Sequence, residues 1–337
     1  MEQLPEQTVT EQDLELIHVL QVAPQISWTD AGKVLNAHPT TLASRWEQLH
    51  RAGLAWITSS LNVSRAGLLL AFLEITCELS QRDEFIQAVC LIPEVQTVEI
   101  AARNKDLELT VITSSLTELS QRVLPQITSI PGVLRVDTSI ATKIHRAGHD
   151  WRLDSLSRQQ LAALGELRAV DPQPSGQIPP SYLPTLRVLS RNGRASSAEI
   201  SRSTGIHKAT VRRQINRMKA SGALASRCEV AGPRLGYPVN CIWYANLPAE
   251  RHGEAAAALS TLRNLRLCMS TTGPTNLLFS LWLRSTSEIL PQEVRITDLV
   301  PGIQLAERSV VMSTAKRLGW LLNPDGTSKG VLVTYYP

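Results

Sequence analysis

The residues best suited to chemistry in this sequence lie between His207 and Lys219. There His207, Lys208, Arg212, Arg213, Arg217 and Lys219 surround an apolar series, Val211, Ile215 and Met218, spaced i, i+4, i+7. In a helix that spacing buries the apolar series and leaves the exposed face almost wholly basic. The chemistry such a face performs is neutralisation of a phosphate backbone, whereas an ordinary solvated face mixes both signs of charge. Over residues 187–234 eleven lysines and arginines stand against two acids, while the matching window 18–65 has four against two. His207, Lys208 and Thr210 at the helix start are placed to meet base edges, with Arg212, Arg213 and Arg217 on bases or backbone. The competing reading is a three-helix packing module with no DNA role.

Other chemistries find less support. No nucleophile motif, phosphate-binding glycine loop or metal-ligand cluster stands out, and the scattered His18, His145, His149 and His252 read as surface residues, so no enzyme, cofactor or metal is expected. Cys77, Cys90, Cys228, Cys241 and Cys268 form an odd set without a Cys-x-x-Cys pair, which points to buried reduced thiols. The longest apolar stretch, residues 66–73, is far short of a membrane span. The first residues lack the basic start and apolar run of a secretory signal, so a cytoplasmic protein is expected.

The basic helix belongs to an element set that occurs twice. Residues 27–53 lie over 196–222 at a constant offset of 169, without a gap. Ser27 and Ser196, each followed three residues later by an acid (Asp30, Glu199), predict capping boxes that open a short helix. Asn36 and Gly205 coincide, and both tolerate the left-handed backbone of a tight turn. Leu42, Trp46 and Leu49 match Val211, Ile215 and Met218 on the following helix. A further helix precedes each pair, at 11–22 and 181–190. Helix, helix, tight turn and third helix is the layout of a helix-turn-helix whose last helix enters the major groove. In the first copy the candidate contacts are His38, Thr40, Thr41 and Arg45, with Pro39 suited to the first helical position.

After each three-helix unit the pattern predicts βαββαβ, over residues 68–142 and 239–313. The turn at 130–133 lies over that at 300–303 at an offset of 170, which extends the repeat across the second domain. Each antiparallel sheet has helices on one face only, so two such sheets are expected to stack. The fold expected is α+β: two tandem units, each a winged-type helix-turn-helix followed by a ferredoxin-like βαββαβ domain. The boundaries are 8–60 and 61–150 for the first unit, 151–180 for a linker helix and proline-rich loop, 181–230 and 231–320 for the second unit, and 321–337 for a tail.

On these residues the chain resembles the leucine-responsive and asparagine-responsive regulators, the Lrp/AsnC family, in a two-copy form. The best local matches are residues 192–224, Gly236, the Thr272-Gly273-Pro274-Thr275-Asn276-Leu277 segment and the Pro-Gly turns. The resemblance implies binding to double-stranded DNA as a homodimer or higher oligomer. It also implies a small effector, often an amino acid, near Thr272, Gly273, Thr275 and Asn276. The chain departs from the family's pattern in two places. His38 and His207 stand where a small hydroxyl residue commonly starts the recognition helix, and the first loop, residues 101–107, lacks the glycine that Gly273 supplies. A sequence-specific, ligand-modulated transcriptional regulator is the expected function. An architectural, chromatin-like DNA binder without an effector is the alternative.

Overall fold

The computed structural model describes residues 9–102, 105–166 and 178–336. Its elements run α1 (Glu11–Val22), α2 (Trp28–Leu35), α3 (Pro39–Arg51), β1 (Ala55–Leu61), α4 (Val63–Ala66), β2 (Leu69–Cys77), α5 (Arg82–Cys90), β3 (Val95–Ala101) and β4 (Leu107–Thr113). They continue with α6 (Leu116–Glu118), α7 (Leu124–Thr128), β5 (Val133–Arg146), α8 (Arg158–Glu166), α9 (Leu183–Arg191), α10 (Ser197–Thr204), α11 (Lys208–Ala220) and β6 (Leu224–Val230). The last are β7 (Val239–Asn246), α12 (His252–Leu259), β8 (Leu265–Thr271), β9 (Leu277–Leu283), α13 (Ile289–Leu299), β10 (Gln304–Arg317), β11 (Trp320–Leu322) and β12 (Ser328–Leu332). They form two compact units, neither continuous in sequence: Met1–Gly67 with Arg152–Ala231, and Leu68–Trp151 with Gly232–Pro337.

The first unit holds both helical triads. Ser27 and Ser196 cap α2 and α10 through the backbone N–H groups of Asp30 and Glu199, and Asn36 and Gly205 end those helices in left-handed conformation at φ 49° and 73°. The apolar series of α3 and α11 are buried as their spacing requires. The strand after each third helix does not fold into a hairpin wing. Instead β1 and β6 pair antiparallel with each other, from Ala55 opposite Val230 to Leu61 opposite Leu224, which corrects the winged-type expectation. The pairing satisfies strand edges that a solitary strand would leave open.

The junction is reinforced where the backbones meet. Gly193 N–H donates to the Ile57 carbonyl at 2.8 Å, and a Cβ on Gly193 would stand 2.5 Å from Ile57 Cγ2, so only glycine fits there. Arg194 donates to the carbonyls of Pro24 and Ile26, each at 2.8 Å, and covers the Trp28 ring at 4.0 Å. The segment before α8 docks on α1, where the buried His18 Nδ1 accepts the N–H groups of Ser155 and Leu156. Burial, followed by the nearby Arg152, lowers the His18 pKa to about 4. The linker helix expected to extend to residue 170 is described as far as Glu166, and residues 167–177, with most of the proline-rich loop, lie outside the described residues.

In the second unit each half orders its strands in the same way, β3-β4-β2-β5 and β8-β9-β7-β10. The last strand of each half pairs with the second strand of the other, β5 with β8 and β10 with β3, and β10 also pairs with β7. These pairings close eight antiparallel strands into a ring. The expected stacking of two sheets is realised as this closure, which leaves no edge at either junction. One face of each half packs on its helices, around Leu73, Phe85, Val89, Leu109 and Val123 in one and Trp243, Leu259, Phe279 and Ile296 in the other. The opposite face carries Ile242, Tyr244, Leu278 and Val311, with Phe72 and Leu267 packed against them. The segment after residue 320, expected as a tail, adds β11 and β12 to the sheet beside β10.

Candidate nucleic-acid interface and effector loops

α11 projects its charge outward because Val211, Gln214, Ile215 and Met218 are turned in, Val211, Ile215 and Met218 against Tyr182, Leu189 and Ile200. Lys208, Arg212, Arg213, Arg217 and Lys219 are exposed, and Thr210 is half-buried beside them. The helix contains no acidic residue. His207 serves as the N-cap, its Nδ1 accepting Ala209 N–H at 3.3 Å. In that tautomer Nε2 carries the proton and is a donor at the tip of the helix, where the N-terminal N–H groups and the helix dipole also favour an anion. The histidine thus performs the capping for which a small hydroxyl residue is the commoner choice.

α3 has the same frame and different chemistry. Thr40, Thr41, Ser44 and Gln48 occupy its exposed face, and His38 makes no capping bond, its Nδ1 lying 2.8 Å from Thr40 Oγ1. Arg45 is turned toward α1. Its Nη1 donates to Asp13 Oδ1 at 3.1 Å and Thr10 Oγ1 at 3.4 Å, and Nη2 to Gln12 Oε1. The residue 169 positions on is Gln214, buried and bonded to Thr185 Oγ1 and the Ser181 carbonyl. Both positions therefore fasten the third helix to the first. An open cleft of about 570 Å³ between α1 and α3 is lined by Thr40, Thr41, Ser44 and Arg45 among others.

The two β-turn loops differ as well. In the second half, Thr272 N–H donates to the Ile140 carbonyl and Thr272 Oγ1 accepts Ile140 N–H, both at 2.9 Å. Asn276 holds the backbone of Leu247 at both its N–H and its carbonyl, and the Thr275 carbonyl accepts Thr271 Oγ1. Gly273 sits at φ 111°, where a Cβ would stand 2.9 Å from Ser139 Oγ. The four candidate ligand residues therefore form one braced loop, two of whose side chains serve the brace itself.

In the first half Ala102 N–H makes the equivalent bond to the Val310 carbonyl at 3.0 Å, and residues 103–104 lie outside the described residues. Beside Ala102 opens a cleft of about 520 Å³ lined by Glu293, Leu305, Glu307, Arg308 and Val310. Arg308 Nη1 lies 2.8 Å from each Glu293 carboxylate oxygen, and Trp243 Nε1 donates to the same carboxylate at 2.9 Å. The sequence did not single these residues out, because α13 and β10 meet only in the fold.

The histidines expected at the surface are not all there. His18 and His252 are buried. His252 lies with Nε2 at 3.1 Å from the Leu247 carbonyl and Nδ1 at 2.7 Å from Ser270 Oγ, which also meets His145 Nε2 at 2.8 Å. Donation of the Nε2 proton to the carbonyl leaves Nδ1 to accept, so the histidine is tied up in packing. The five cysteines are free and buried, and burial raises the pKa of each.

Residues 70–149 match the model of the Lrp/AsnC ligand binding domain and residues 176–232 that of the MarR family. The chain is 25% identical to an uncharacterized HTH-type transcriptional regulator of Pyrococcus abyssi over 139 residues, 41% of this chain and 88% of that one. It is 23% identical to the HTH-type transcriptional regulator FL11 of the same organism over 132 residues, 39% of this chain and 87% of that one. These matches support a ligand-modulated, DNA-binding transcriptional regulator. Over most of its length the fold is similar to that of the siroheme decarboxylase NirDL, solved in co-complex with an iron-uroporphyrin III analogue. That likeness has a TM-score of 0.59 at 12% identity and covers 92% of this chain and 93% of that one. The expectation that no enzyme is encoded is thereby corrected: an enzyme is built on this architecture, and the absence of a sequence motif does not separate the two uses of the fold. Among the described residues no helix is long and apolar enough to cross a membrane.

Proposed function

We propose that this chain is a ligand-responsive transcriptional regulator in tandem two-copy form that reads double-stranded DNA through α11. The observation that carries this reading is the outward face of α11, where Lys208, Arg212, Arg213, Arg217 and Lys219 are exposed on a helix without an acid. His207 and Thr210 at the helix start lie nearest base edges, with the arginines on bases or backbone. The first module contributes little charge, so two chains, each presenting its α11, are needed to read both halves of a palindrome. The braced loop at Thr272, Gly273, Thr275 and Asn276 is the effector site, and a small amino-acid-like ligand there is the favoured class.

Selection of bound fragments from sheared genomic DNA, compared between the native chain and Arg212→Ala/Arg213→Ala, tests the reading. Enrichment of an inverted repeat by the native chain, lost in the variant, is expected. No salt-sensitive affinity for any duplex would overturn it. Sequence-independent DNA binding with no thermal response to any amino acid would instead favour the architectural role.

A second reading rests on the whole-chain fold likeness, which favours an enzyme acting on a carboxylated tetrapyrrole. Incubation with siroheme, followed by mass spectrometry for loss of carbon dioxide, decides it. An unchanged tetrapyrrole that also leaves the melting temperature unmoved excludes that substrate.

A further inference from the structure

On the face of the sheet opposite the helices of the first half, three glutamates stand in register across adjacent strands. Glu99 on β3 is opposite Glu108 on β4, which is opposite Glu74 on β2. Like charges at directly opposed positions destabilise a sheet, so the row requires a cation. Lys105 supplies one from the loop between β3 and β4. Its Nζ lies 2.8 Å from Glu74 Oε1, 3.4 Å from Glu108 Oε1 and 3.8 Å from the centre of the Tyr244 ring, with the side chain 4% exposed. Tyr244 reaches from β7 and donates its hydroxyl to Glu108 Oε2 at 2.9 Å. Two carboxylates and an aromatic face around one shielded ammonium are the groups that recognise a primary amine.

The other half contains no such cage. The residues 170 positions beyond Glu99, Glu108, Glu74 and Lys105 are Met269, Leu278, Tyr244 and Thr275. The loop that carries Lys105 is the counterpart of the loop that carries Gly273 and Asn276. We infer that Lys105 is a tethered ligand: its ammonium permanently fills a primary-ammonium site formed by Glu74, Glu108 and Tyr244. Only the second loop is then left to answer a free effector, a consequence that rests on the function proposed above. The ammonium site itself does not depend on that function.

Thermal unfolding of the full chain with Lys105→Ala, in the presence of n-propylammonium, tests the site without reference to DNA. The variant is expected to melt on the order of 10 °C below the native chain, because it leaves the shielded Glu108 and the half-buried Glu74 without their cation. Millimolar n-propylammonium is expected to restore much of that loss, while n-propanol and tetramethylammonium do not and the native chain does not respond. An unshifted melting temperature, no recovery with the amine, or equal recovery with tetramethylammonium would overturn the inference. If Lys105→Ala does not fold, Lys105→Ala/Glu74→Gln has one carboxylate fewer to neutralise. It is expected to fold and to gain stability from n-propylammonium through Glu108 and Tyr244, and no gain there overturns the inference equally. Loss of DNA binding alone would bear on the regulator reading and leave the ammonium site standing.

Discussion

α3 and α11 are thirteen-residue helices with the same buried stripe, reached by the same turn, and they differ in what they show to solvent. Where α11 carries Arg213 and Arg217, α3 carries Ser44 and Gln48. The scaffold of a reading head and its affinity for phosphate are thus separable: the first is fixed by apolar spacing and a left-handed turn residue, the second by a few exposed positions that packing does not constrain. The same separation recurs in the ring of strands, where the two halves share strand order while Glu99, Glu108 and Glu74 of the first have Met269, Leu278 and Tyr244 at the corresponding positions of the second.

The largest expected effect comes from making α11 resemble α3. Arg213→Ser/Arg217→Gln removes two cations without touching the buried stripe. DNA affinity is expected to fall by about 100-fold, and the slope of log affinity against log salt to shrink by about 2. A variant that binds as tightly as the native chain, with an unchanged slope, breaks the comparison at its centre.

Next is a contrast between the two halves of the ring. Burial, reinforced by Glu108, pushes the Glu99 carboxyl up to about 7, against the opposing pull of Arg317, the Asn240 amide and Arg266. The folded chain therefore holds a proton there that the unfolded chain releases above its ordinary value near 4.5. Stability falls as pH rises through the window between those two values and levels off above it. A drop in melting temperature of roughly 5 °C between pH 5 and 8 is expected. Glu99→Gln should flatten that part of the curve; a native-like slope in the variant would place the titration elsewhere.

The reciprocal graft is smaller. Ser44→Arg/Gln48→Arg gives α3 the two cations it lacks, and a gain of about fivefold in affinity is expected if that face lies along the duplex. No gain at low salt would mean that the first module does not approach DNA, which sharpens the comparison into one reader and one support.

What the sequence disclosed and what it withheld divide along a physical line. The stripes of α3 and α11, the caps at Ser27 and Ser196 and the turns at Asn36 and Gly205 are set by residues within one or two helical turns of each other, and all are present. The pairing of β1 with β6, the joining of β5 to β8 and β10 to β3, and the addition of β11 and β12 depend on strands far apart in the chain, which periodicity does not record. The Glu99–Glu108–Glu74 row is hidden for the same reason, since it exists only once three strands fix their register. Arg308 and Glu293, 15 residues apart, were likewise unreadable before α13 and β10 met.

Arg45 is the position at which the two kinds of knowledge separate most clearly. Read along the chain it is one of the few cations of α3 and therefore a candidate contact with DNA. In the fold its guanidinium faces Asp13, Gln12 and Thr10, and its counterpart Gln214 faces Thr185 and Ser181. Both residues pin the third helix to the first, one with a partly exposed ion pair and one with buried neutral hydrogen bonds. Arg45→Ala is then expected to cost about 1 kcal/mol of stability in denaturant unfolding, with DNA affinity unchanged within about twofold. Gln214→Ala should cost more, because it leaves the Thr185 hydroxyl buried without its acceptor. If Arg45→Ala instead weakened DNA binding while leaving stability intact, the first module would be a reader after all, and the difference between the two helices would be one of strength and not of kind.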